Sequence, residues 1–92
     1  MHELSLLNDL LRKIESIVQE NGAVRADKVN VWLGAWSHIS ADHLRDHFVH
    51  AAKGTAAEGA ILEIDVSADF QDPRAQDIIL ISVDVSNQRV AT

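Results

Sequence analysis

The sequence contains no cysteine, and that one absence removes several chemistries together. Disulfides, thiolate metal sites, iron–sulfur ligation and cysteine nucleophiles are all excluded. A cysteine-free chain is at home in reducing cytosol. Basic residues are also few: eight Lys and Arg against fourteen Asp and Glu give a net charge of −6. They are scattered as Arg12-Lys13, Arg25, Lys28, Arg45, Lys53, Arg74 and Arg89, with no basic stripe. Binding to a phosphate backbone needs clustered positive charge, so nucleic acid is not an expected partner. An acidic membrane surface would repel the chain. No apolar run approaches the roughly 18–20 residues that span a bilayer, and the N-terminus lacks the basic-then-apolar layout of a signal peptide. The expected location is the cytoplasm.

Glycine and proline are sparse, four and one in 92 residues. There is no Gly-rich phosphate loop, no GxSxG and no HExxH, and no nucleophile–base constellation can be assembled, so an enzyme is not expected. What remains is a chain of 47% hydrophobic and 24% charged residues, the balance of one globular domain spanning 1–92. A chain of this length buries roughly two-thirds of its unfolded surface, which supports one modest core.

In ELSLLNDLLRKIESIVQEN, residues Leu7, Leu10, Leu11, Ile14, Ile17 and Val18 recur at three- and four-residue steps. This predicts an amphipathic helix from Leu4 or Ser5 to Glu20 or Asn21, closed by Asn21-Gly22. KVNVWLGAW alternates Val29, Val31 and Leu33 against Lys28, Asn30 and Trp32, a strand ended by Gly34. Ser40 is the expected N-cap of a second helix over 41–53, with Leu44, Phe48, Ala51 and Ala52 facing the core and Gly54 as the stop. AILEIDV and DIILISVDV are the second and third strands. Leu62, Ile64 and Val66 share one face of the former, and Ile79, Ile81, Val83 and Val85 one face of the latter. SADFQDPRAQ between them reads as a short hairpin connection. The fold class is therefore α+β. Two helices pack on one face of a small three-stranded mixed sheet, in the order helix, strand, helix, strand, strand. The middle strand–helix–strand unit joins parallel strands.

Two groups of residues carry metal-ligand chemistry. MHELS opens the chain, and the Met1 amine, the His2 amide nitrogen and the His2 imidazole can close two adjacent chelate rings on one ion. Glu3 or a water can add a further donor. Square-planar nitrogen coordination of this kind suits Ni(II) or Cu(II). The alternative is that MHE is simply a helix start, with Glu3 near the positive end of the dipole. HLRDHFVH places His43, His47 and His50 within about 60° of one another on a helix, a spacing that suits Zn²⁺, Ni²⁺ or Cu²⁺. Its alternative is a polar border that shields the core. Paired carboxylates such as Glu63 and Asp65 read as solvated strand residues. Trp32 and Trp36, near a strand end, read either as packing or as an apolar contact patch.

MHELS, the Leu-Gly-x-x-Ser of Leu33 to Ser37 and the KGT-x-AEGA-x-LEI of Lys53 to Ile64 together resemble the HypA/HybF family of nickel metallochaperones. The likeness covers Met1 to about Val66 and resumes at IILISVDV. It implies Ni(II) held by Met1, His2 and Glu3, with His2 as the principal ligand. It also implies delivery to a precursor of [NiFe]-hydrogenase or a related nickel enzyme, with a maturation GTPase as a further partner. Family members normally insert a zinc domain with two CxxC-type pairs between the last two strands. SADFQDPRAQ stands there without cysteine, so no structural zinc is expected. Gly34-Ala35 replaces a common Gly-Glu, and Ser40 stands where some members offer a carboxylate near the nickel. A repurposed interaction or assembly module with no physiological metal is the alternative function, and exposed strand edges leave a homodimer open.

Overall fold

The computed structural model describes residues 2–37 and 39–87, with side chains from Ser5 onward. The chain runs through α1 (His2–Glu20), β1 (Arg25–Leu33), α2 (Ala41–Ala51), β2 (Ile61–Val66) and β3 (Ile78–Ser86). This is the expected order and the expected α+β class.

Helix α1 begins at His2, two residues before the predicted start, because nothing in His-Glu-Leu breaks a helix. Leu7, Leu10, Leu11, Ile14 and Val18 are buried along one stripe, each contributing about 1.5–3 kcal/mol of apolar burial. Its end is a full Schellman closure. Gly22, at φ +63°, allows its own N–H to reach the Gln19 carbonyl at 3.0 Å and the Ala23 N–H to reach that of Val18 at 2.9 Å.

β1 is the central strand of the order β2-β1-β3, parallel to β2 and antiparallel to β3. Val29, Val31 and Leu33 are almost fully buried beneath the helices, as their alternation requires. α2 is capped by Ser40, whose hydroxyl accepts the His43 N–H at 3.2 Å. It ends at Ala51, two residues short of the predicted stop. Leu44, Phe48 and Ala52 enter the core. Ala51 does not: it is exposed beside an open groove lined by Asn8, Leu11, Arg12, Glu15 and Thr55. The turn that follows α2 is pinned from two sides. Glu15 accepts the Ala56 N–H at 2.7 Å, and the Ala56 carbonyl accepts the Ala26 N–H at 2.8 Å.

Two expectations about the sheet are corrected. β3 does not form a hairpin with β2; the connection carries the chain across the end of β1, and β3 pairs with the far side of that central strand. The face assignment of β3 also changes. A register shift between Asn30 and Val31 leaves Ile81 as an extra residue, since Asn30 faces Ser82 while Val31 faces Leu80. A bulge of one residue reverses the inward–outward parity along a strand. Ile78 and Leu80 therefore join Val83 and Val85 against the core, and Ile81 is 55% exposed. In β2, Leu62 is buried and Ile64 half-buried, while Val66 at the strand end is exposed. The free edge of β2 is partly guarded by Arg45, which donates to the Leu62 carbonyl at 3.1 Å. Both helices, β1 and β2 contribute to one buried cluster, and β3 packs against it through Ile78, Leu80, Val83 and Val85.

Candidate functional site

The start of α1 meets two other segments at the end of the sheet. Ser5 and Leu6 from its first turns, Ser37 and Ile39 from the loop after β1, and Gln76, Asp77 and Ile78 at the entry to β3 line a cleft of about 300 Å³. The Asp77 backbone is fixed there from both sides. Its N–H donates to the Arg74 carbonyl and its own carbonyl accepts the Gly34 N–H, each at 2.9 Å. Ser37 donates to the Ile39 carbonyl at 3.2 Å. Met1 and the side chains of His2 and Glu3, where the sequence places the leading metal site, lie outside the described residues.

The cysteine-free connection over 67–77 is docked as a cap on β1. Ser67 N–H donates to the Leu33 carbonyl at 2.9 Å, and Trp36 N–H to that of Ala75 at 2.6 Å. The Trp36 indole donates to the Phe70 carbonyl at 2.8 Å while its ring meets that of Phe70 edge-on, centroids 4.9 Å apart. The Arg74 guanidinium lies over Trp32 at 5.5 Å. Trp32 is half-buried by these contacts, whereas Trp36 and Phe70 remain more than half exposed. The two tryptophans thus divide the roles that sequence reading left open, one packed and one at the surface. Gly34 matters by close approach: a Cβ there would overlap the Ala75 carbonyl. No sequence signal pointed to that contact, because its partner is forty-one residues away.

Ser40 is engaged by its own helix cap, which leaves its hydroxyl committed to backbone. His43 and His47 are exposed on α2 with ring centroids 6.4 Å apart, and His50 is exposed one turn on. Among the described residues no group of three or more His, Asp or Glu side chains is placed to hold a metal. On the sheet face away from the helices, Lys28 Nζ meets Glu63 Oε1 at 2.6 Å and Asn30 donates to Ser82 at 2.9 Å. The hydrogen bond to Glu63 and its charge, with Asp84 adding, hold the Lys28 ammonium above the usual lysine range.

The family model described as hydrogenase/urease nickel incorporation, metallochaperone, HypA, matches residues 1–70. The hydrogenase maturation factor HypA of Lawsonia intracellularis is 38% identical over 65 residues, covering 71% of this chain and 55% of that protein. The HypA of Archaeoglobus fulgidus is 38% identical over 66 residues, covering 72% and 60%. The chain therefore spans little more than half the length of the curated relatives it matches. The solution structure of the Ni metallochaperone HypA from Helicobacter pylori has a TM-score of 0.76 at 16% identity. That match covers 94% of this chain and 98% of the other, which establishes a shared fold. With three segments in order on the expected scaffold and a family match from residue 1 to residue 70, the chain belongs to the HypA family of nickel-incorporation metallochaperones.

Proposed function

We propose that this chain binds Ni(II) through Met1, His2 and Glu3 and passes it to the precursor of a hydrogenase or urease, with a maturation GTPase as a further partner. The observation that carries this reading is the family match beginning at residue 1, over the MHELS segment itself. The start of α1 at His2 supports it. The first four N–H groups of a helix have no intrahelical acceptor, so binding a metal through the His2 amide nitrogen breaks no helix hydrogen bond. The reading treats 1–92 as one domain, in keeping with the single core that both helices, β1 and β2 build and β3 packs against. It places the work in the cytoplasm, in keeping with the absence of cysteine. Among the described residues no helix is long and apolar enough to cross a membrane.

Calorimetric titration of tag-free protein with Ni²⁺ tests it. His2→Ala and a variant with residues added before Met1 should each lose the strongest nickel site, the second by burying the free amine in a peptide bond. Unchanged binding in both would contradict the assignment. A second reading, an assembly module without metal, is favoured by the exposed Trp36–Phe70 pair on the capping connection. Pull-down with wild-type and His2→Ala bait separates the two: identical partners and full complementation by the variant favour the module.

A further inference from the structure

The nickel site proposed at Met1, His2 and Glu3 leaves His43 and His47 unused. His43 and His47 stand one helical turn apart on α2, both exposed, with ring centroids 6.4 Å apart and ring planes at 73°. Among the described residues no hydrogen bond holds either imidazole, so both are free to turn. A first-row divalent ion lies about 2.0–2.1 Å from an imidazole nitrogen, which puts it roughly 3.2 Å from each ring centroid. Two imidazoles sharing an ion at angles between 90° and tetrahedral then have centroids about 4.5–5.2 Å apart. The observed separation exceeds that by roughly 1–2 Å, a closure that staggered χ1 and χ2 changes on a helix surface supply.

The surroundings favour a dication. Asp42 and Asp46 flank the pair on the same helix, and the one cation of α2, Arg45, is turned to the β2 edge, where it donates to the Leu62 carbonyl at 3.1 Å. His50 does not complete a triad, since no three-donor group forms among the described residues.

We infer that His43 and His47 form a second nickel(II) point, a two-imidazole clamp on α2 separate from the N-terminal donors. Two protein donors leave most of the coordination sphere to water, so the ion is held in exchange and leaves when another molecule offers more ligands. This clamp stands or falls independently of Met1, His2 and Glu3.

The test is Ni²⁺ titration of tag-free protein, read by calorimetry and by NMR of the histidine rings. The His43 and His47 ring resonances should broaden in wild type and equally in His2→Ala. The His43→Gln/His47→Gln double variant should lose the weaker class of nickel sites and keep the stronger. Gln is a better helix former than His, so α2 is retained, which far-ultraviolet circular dichroism checks. Ring resonances of His43 and His47 that stay sharp in wild type, or a double variant that keeps the weaker class, would overturn the clamp.

Discussion

Gly34 shows how much one residue can depend on a partner that sequence reading does not see. It reads as ordinary strand punctuation, yet its backbone lies against the Ala75 carbonyl and its N–H donates to Asp77. Gly34→Ala should destabilise the protein by about 1–3 kcal/mol, the usual range for forcing atoms into a packed contact, measured as a lower urea midpoint. A second residue-level prediction concerns Lys28. Its raised pKa in the folded state means that its contribution is fully present below the ordinary lysine range and is lost as pH rises through the folded value. Unfolding titrations across the alkaline limb should show a loss of stability that Glu63→Gln reduces. The effect is small, because both side chains are substantially exposed. Ser40 was legible as a cap from its type and place, because capping chemistry is local. The bond from the Trp36 indole to Phe70 was not, because nothing local specifies it.

At the level of elements, periodicity located both helices and all three strands, and it failed where one residue changed the parity. The Ile81 bulge moves Ile78 and Leu80 to the core side, and no alternation of apolar residues in an all-apolar run such as IILI can reveal that. The pairing of β3 was missed for a related reason. A short polar connection between two strands resembles a hairpin, but here it climbs over the end of β1 and is held by Ala75, Asp77 and the Trp36–Phe70 contact. Ser40→Ala should cost about 0.5–2 kcal/mol by freeing the His43 N–H at the start of α2, read as a lower melting temperature. Phe70→Ala removes the edge-on ring contact, worth about 0.5–1.5 kcal/mol beyond its buried area. It should loosen the capping connection, seen as faster amide exchange at Trp36 while β1 remains protected.

In the whole molecule, one core joins two helices to a three-stranded sheet, and the start of α1, the loop after β1 and the entry to β3 converge on one cleft. The element order and the likeness of three separated segments made this scaffold readable in advance. The convergence was not, since it follows from the β2-β1-β3 strand order rather than from any one segment. The connection that spans this end of the sheet has no cysteine, so it offers no thiolate ligand for a metal.

The most direct measurement of the central claim is nickel X-ray absorption on a one-to-one complex of tag-free protein carrying His43→Gln/His47→Gln, which removes the contribution of the α2 pair. Coordination by the Met1 amine, the His2 amide and the His2 imidazole predicts a nitrogen-rich, near-planar edge with imidazole scattering, both lost in the added His2→Ala variant. A six-oxygen, water-like spectrum, or one unchanged by His2→Ala, would contradict it.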